Sequence, residues 1–180
     1  MKFTINWLKK HLDTMANDAE ICQKLTDIGL ELEEFEDKAA EYAPFKVALI
    51  EKAEKHPDAD KLQICTVKTE SGTVQVVCGA SNARTGMKGI FAPDKTYIPG
   101  LDITLKKTKI RGVESCGMMV SEKEMCLSDE HKGIIEVDDK YEIGTPMAEI
   151  FGLNEKIVEI GLTPNRADCA GVRGIARDLA

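Results

Sequence analysis

Val47-Ala48-Leu49-Ile50-Glu51-Lys52-Ala53, the segment His56-Pro57-Asp58-Ala59-Asp60, and Leu62-Gln63-Ile64-Cys65-Thr66-Val67-Lys68-Thr69 decide the reading of this chain. Two runs rich in β-branched and apolar residues, separated by a proline and two aspartates, read as strand, turn and strand. The texture continues over residues 74–78, 89–92, 103–110, 118–121 and 134–137, with further turns at Glu70-Ser71-Gly72 and Ile98-Pro99-Gly100. Short strands at such spacing predict a small β-barrel or sandwich.

Five principal strands and one short helix fit an oligonucleotide-binding (OB) fold, and residues 39–151 are assigned to it. The flanks differ. Ile5, Leu8 and Leu12 mark a short helix, and Ile21, Leu25 and Ile28 share a face of a second, which Asp18 can cap and Gly29 ends. Leu30-Glu31-Leu32-Glu33 alternates as a strand does. Beyond the barrel, Thr145-Pro146 suits a cap and first-turn proline ahead of a helix that Gly152 stops. A strand over 156–160 follows, then Thr163-Pro164-Asn165 and a helix with Val172, Ile175, Ala176 and Leu179 on one face. Neither flank can form a core alone. Residues 1–38 and 152–180 are therefore expected to make one small α/β domain into which the barrel is inserted, giving a mainly β protein with α+β flanks. The last helix has no closing glycine, which points to a longer polypeptide.

With 180 residues, 43% of them hydrophobic, the chain can bury one ordinary core and a smaller satellite. The sequence has no long apolar run and no basic-then-apolar leader, so a cytoplasmic location without membrane insertion is expected. Six cysteines (Cys22, Cys65, Cys78, Cys116, Cys126, Cys169) form no C-x-x-C pair, and His11, His56 and His131 are scattered. Reduced packing thiols and no metal site are expected.

A net charge of −7 excludes nucleic-acid binding through bulk charge, so any such contact must be local. Lys106, Lys107, Lys109 and Arg111 stand together without an acid. Glu31, Glu33, Glu34, Glu36 and Asp37 crowd a presumptive strand edge or linker. If residues 103–110 are one strand, Lys107, Lys109 and Arg111 project from one face, either as solvated lysines or as a phosphate track. Lys61 follows a turn from which it can reach a phosphate. Asn82, after Val77-Cys78-Gly79-Ala80-Ser81, either closes a turn or offers an amide donor and acceptor to a base edge. Ser121 is the polar candidate beyond Met118-Met119, which read as core filler. Phe45, Phe91 and Tyr97 are too few for general single-strand binding by stacking. No Walker loop, G-x-S-x-G or H-E-x-x-H motif is present, so the segment is not expected to be catalytic on its own.

Met1-Lys2-Phe3 with Trp7-Leu8, Ile28-Gly29-Leu30-Glu31, His56 to Leu62, Val77 to Asn82, Lys109-Ile110-Arg111-Gly112 and Thr163-Pro164-Asn165-Arg166-Ala167-Asp168-Cys169 follow one another in an order that resembles the β subunits of bacterial-type phenylalanyl-tRNA synthetases. The resemblance implies an N-terminal fragment with a tRNA-binding OB-fold, in an α2β2 heterotetramer that attaches phenylalanine to its tRNA. It also implies ATP and magnesium at sites outside this segment, and the α subunit and tRNA as partners. Two other readings remain: a barrel that packs against neighbouring synthetase domains, and a free-standing tRNA-binding module.

Overall fold

The computed structural model describes residues 1–130 and 133–180; His131, one of the histidines set aside above, lies outside them. The elements in chain order are β1 (Lys2–Thr4), α1 (Ile5–Lys9), α2 (Asp18–Asp27), β2 (Leu32–Asp37), α3 (Lys38–Glu41), β3 (Lys46–His56), β4 (Ala59–Thr69), β5 (Gly72–Cys78) and β6 (Lys88–Ala92). They continue with β7 (Tyr97–Ile98), β8 (Ile103–Thr104), β9 (Thr108–Ile110), β10 (Val113–Ser115), β11 (Met118–Met119), α4 (Met147–Ile150), β12 (Lys156–Ile160), a 3-10 turn over Pro164–Cys169, and α5 (Val172–Leu179). Strand outweighs helix, so the protein is mainly β. The chain divides into two compact units, Met1–Glu41 with Gly152–Ala180, and Tyr42–Phe151.

In the first unit an antiparallel sheet in the order β1-β12-β2 draws strands from both ends of the sequence. Leu8, Leu25, Leu30, Val158, Ile160 and Ile175 form the centre of its core. Asn17 caps α2, in place of the predicted Asp18. Its side chain accepts the Glu20 N–H while the Glu20 carboxylate accepts the Asn17 N–H, a reciprocal capping box. Asp18 is thereby the first helical residue, free to pair with Lys156 at 2.6 Å. At the other end, Gly29 takes φ +82°, and the N–H groups of Gly29 and Leu30 return to the carbonyls of Thr26 and Leu25. This is a Schellman closure, and it buries Leu30. The predicted strand at Leu30 therefore begins only at Leu32 and runs on to Asp37.

In the second unit a five-stranded antiparallel sheet runs in the order β11-β6-β3-β4-β5. Ala48, Ile50, Cys65, Val67, Val76 and Phe91 lie within its core. Two-residue turns at Pro57-Asp58 and Glu70-Ser71 join β3 to β4 and β4 to β5. Among the described residues the strand ladder stays open, with β11 and β5 at its ends. The outer edge of β5 is met instead by residues 114–116. The Cys116 N–H donates to the Gln75 carbonyl at 2.9 Å, the Gln75 side-chain amide to the Glu114 carbonyl at 2.7 Å, and the Val77 N–H to Ser115 Oγ at 3.0 Å.

Three further expectations are corrected here. The strand predicted over 103–110 is two: the Leu105 N–H bonds to the Thr96 carbonyl and the Lys95 N–H to the Leu105 carbonyl, so β8 is held by β7 while β9 pairs with β10. Residues 134–137 form no strand and give one isolated bridge, Gly89 with Glu136. Pro146 occupies the cap position of α4 without a side-chain bond, and Thr145 does not cap it; the Thr145 carbonyl accepts the Val47 N–H.

Candidate nucleic-acid interface

His56 ties together the two hairpins that carry the exposed cations. The residue is 4% exposed. Nδ1 accepts the Asp58 N–H at 3.1 Å, which leaves the proton on Nε2, 3.3 Å from the Ile110 carbonyl oxygen that accepts it. The tip of the β3–β4 hairpin is thereby fixed to the β9–β10 hairpin, within one residue of Lys109 and Arg111. Sequence reading took His56 as part of a turn; its role depends on a contact 54 residues away.

Arg111 stands at the apex of the β9–β10 turn. Arg111 and Gly112 have φ of +49° and +84°, the two positive values of a type I′ turn. The chain reverses there, so the row predicted for Lys107, Lys109 and Arg111 on one strand face does not form. Lys107 precedes β9 and pairs with the Glu114 carboxylate; Lys109 lies opposite Glu114 in the ladder and is exposed. Lys61 is exposed on β4, close to the Pro57-Asp58 turn. Among the described residues no ion pair occupies Lys61, Lys109 or Arg111. These three are open to an anion, whereas Lys107 is partly neutralised.

Asn82 and Ser121 lie elsewhere: Ser121 lines a cleft of about 270 Å³ with Cys78, Ala80, Met119, Glu124 and Ile134, and Asn82 is bonded to the last of these from outside the lining. The Asn82 Nδ2 group donates to the Ile134 carbonyl and its Oδ1 accepts the Ile134 N–H, both at 2.9 Å. The amide completes the backbone of residue 134 as a neighbouring strand would. Ser121, 6% exposed, accepts the Glu124 N–H through Oγ at 3.4 Å and gives its own N–H to the Glu124 carboxylate at 2.6 Å, closing the turn at 121–124. Both residues hold backbone, and the Glu124 carboxylate in the cleft opposes a phosphate there. Burial pushes the Cys78 thiol up, and pushes Cys65 up to about 11, with the neighbouring Cys78 adding to it; both are packing groups. All six cysteines are free thiols.

Among the described residues one set of metal-type side chains converges, Asp168, Cys169 and Asp178 in the first unit. The Arg177 guanidinium holds both carboxyl groups below the usual carboxylate range, and Arg166 bonds Asp178, Cys169 Sγ at 2.9 Å and the Ile28 carbonyl at 2.8 Å. Two guanidinium groups already neutralise the cluster, and a thiol is a poor magnesium ligand. It does not suit a divalent cation. No helix among the described residues is long and apolar enough to cross a membrane.

The second unit is mainly β, and among the described residues Lys55, Lys61, Lys109 and Arg111 on its two linked hairpins have no ion pair. The chain belongs to the family described as "Putative tRNA binding domain", whose model matches residues 45–146. Over its whole length it is similar to phenylalanine–tRNA ligase β subunits: 58% identical over 181 residues to that of Brucella abortus (strain 2308) and 56% to that of Bartonella quintana (strain Toulouse). The alignments cover 100% of this chain and 22% of each relative, so the chain spans about a fifth of their length. Among solved structures, a MetRS related protein from Pyrococcus horikoshii is 27% identical with a TM-score of 0.43, covering 57% of this chain and 87% of that one.

Proposed function

We propose that this chain is the N-terminal part of a phenylalanine–tRNA ligase β subunit. Its residues 39–151 form an OB-type barrel that contributes auxiliary tRNA binding to the ATP-dependent attachment of phenylalanine to tRNA. The observation that carries this reading is the 58% identity to β subunits across every residue, flanks included, and not only across the tRNA-binding module. The hydrogen bonds that residues 114–116 make to the free edge of β5 support a barrel, since they cover the edge an open sheet would expose. Residues 1–38 and 152–180 serve as the scaffold that presents it. The α subunit, in an α2β2 enzyme of the cytoplasm, supplies the aminoacylation site; ATP and magnesium bind outside this chain.

Contact with tRNA falls to Lys61, Lys109 and Arg111, with Lys107 secondary and with Asn82 and Ser121 shaping the loops behind them. The test is binding of the purified protein to tRNA at low and moderate salt, with duplex DNA of equal charge as control. At about 0.7 to 0.9 per phosphate, three open cations give a slope of about 2 to 3 in log affinity against log salt. Reversing Lys109 and Arg111 to glutamate should lower that slope to about one or less. A preference for duplex DNA, or no binding at low salt, would instead make the barrel a packing element of the synthetase.

A further inference from the structure

We infer that His56 is a positioning residue for RNA binding: its bond to the β9–β10 hairpin joins the cations of two hairpins into one fixed array, and that array selects a folded RNA over a flexible strand. This rests on the tRNA-binding reading and adds to it a residue and a basis for selectivity. Each end of the bond stands beside exposed cations. Lys55 precedes His56, and Lys109 and Arg111 flank Ile110, whose carbonyl oxygen lies 3.3 Å from His56 Nε2. The ladder passes from the His56–Ala59 pair directly to the Lys55–Gln63 pair, so residues 60–62, Lys61 among them, form a bulge in β4 beside the same bond. Asp58 and Asp60 share this tip, two acids against four cations, and the balance stays positive.

The β9–β10 hairpin has little else to hold its tip. Its base is fixed to β5 by the bonds of Glu114, Ser115 and Cys116 with Gln75 and Val77. Among the described residues, His56 makes the one hydrogen bond that reaches residues 108–113 from outside the hairpin. A two-stranded ribbon is at best marginally stable by itself. Without the bond, Lys109 and Arg111 would ride on a ribbon anchored at one end. With it, their places relative to Lys55 and Lys61 are set before RNA arrives, which spares an ordering cost on binding. A folded RNA is recognised by its shape and cannot follow cations that wander, whereas a flexible strand can. The link therefore contributes to the first and little to the second.

The two ring nitrogens can be tested apart. Asparagine places an acceptor near the position of Nδ1 and keeps the Asp58 N–H bond, whereas glutamine places a donor near the position of Nε2 and keeps the reach to Ile110. His56→Asn thus keeps the turn and cuts the link, and His56→Gln does the reverse. Affinity of the intact protein is measured for tRNA and for an unstructured oligouridylate of equal phosphate count, with amide hydrogen exchange on the free protein. His56→Asn should weaken tRNA binding about 5-fold, the value of one ordinary hydrogen bond, and change oligouridylate binding by less than about two-fold. It should also speed exchange at residues 108–113 and not at 114–116. His56→Gln should stay within about two-fold of wild type for both RNAs. Arg111→Ala should weaken tRNA binding less in the His56→Asn background than in wild type, because the two residues are coupled. If wild type fails to bind tRNA, the tRNA-binding reading fails and takes this inference with it. If wild type binds and His56→Asn binds tRNA as tightly, the positioning role alone is overturned. It is overturned equally if both variants, or both RNAs, lose affinity alike, or if His56→Asn does not fold, since His56 would then serve only the fold.

Discussion

Asn82 separates two accounts of this protein, and replacing it with alanine distinguishes them. A base-reading Asn82 would lose RNA affinity and leave the fold intact. In the structure both ends of the amide are committed to the backbone of Ile134, whose side chain is buried. Alanine forfeits two hydrogen bonds, each with a net value of about 1 kcal/mol, and leaves an N–H and a carbonyl short of partners in a partly buried place. The expected cost is about 2 to 3 kcal/mol, which for a chain of this size lowers the melting temperature by roughly 4 to 12 °C. Asn82→Asp should be at least as damaging, because it keeps an acceptor for the Ile134 N–H but sets a carboxylate against the Ile134 carbonyl. Gly133→Ala attacks the same clamp from the other side, since a Cβ there would lie 2.7 Å from the Asn82 amide carbon and oxygen. Thermal unfolding and tRNA affinity are measured on the same preparations. An Asn82→Ala protein that melts with wild type but binds tRNA more weakly would refute the clamp and restore the reading role.

Arg111→Asn should stabilise the protein by about 0.5 to 1 kcal/mol, since asparagine tolerates the positive φ of a type I′ turn better than arginine. It should also reduce the tRNA salt slope by about one, and an unchanged slope would remove Arg111 from the interface. Gly117→Ala should cost about 2 to 5 kcal/mol, because Gly117 has φ +89° and a Cβ would lie 2.5 Å from the Ala92 carbonyl oxygen; a melt within error of wild type would contradict that close approach. Lys156, hydrogen-bonded to Asp18, holds the Asp18 carboxyl below the usual carboxylate range. Its contribution is thus complete above the unfolded pKa of about 3.9 and is lost as pH falls through the lower folded value. Asp18→Asn should flatten the acid limb of melting temperature against pH, and an acid limb identical to wild type would exclude the pair as its cause.

The flanking unit was legible because its signals are local. Gly29 and the i, i+3, i+4 spacing of Val172, Ile175 and Ala176 each act within one turn of helix. The unit's departures are small: Asp18 for Asn17 is a shift of one residue between two equally good caps, and the strand expected from Leu30 begins at Leu32 because Leu30 closes the helix. In the second unit β3 and β4 run further at their hairpin than the apolar pattern indicates, for a physical reason. Lys55, Asp60 and Lys61 extend past the hydrophobic core, and the ladder there is held by backbone bonds that leave no apolar pattern. Residues 103–110 were read as one strand because alternation identifies a face but not a partner, and β7 and β10 compete for that segment. The amide of Asn82 looks the same whether it meets a base or a backbone, and His56 looks the same in a turn as in a bond between hairpins. What decides each is a contact made across the fold.

The same distinction governs the charge. A sum of −7 speaks against nucleic-acid binding only if acids and bases are mixed evenly, and here the largest acidic run lies on β2, at the edge of the first unit's sheet. Glu34 and Glu36 meet Lys2 at 3.2 Å and Asp37 meets Lys156 at 3.6 Å, so part of that run is neutralised in place. The remaining acids charge a strand whose outer backbone groups would otherwise invite another strand to pair. In the second unit Glu114 offsets Lys107 and Glu136 offsets Arg84, while Lys61, Lys109 and Arg111 have no such partner among the described residues. Acid that protects an edge or closes a local pair does not cancel a cation at another place, because screening at physiological salt limits exposed charges to about 8 Å. The quantity that bears on RNA binding is therefore the charge left unpaired on the linked hairpins, where among the described residues Lys55, Lys61, Lys109 and Arg111 outnumber Asp58 and Asp60, and its sign is positive.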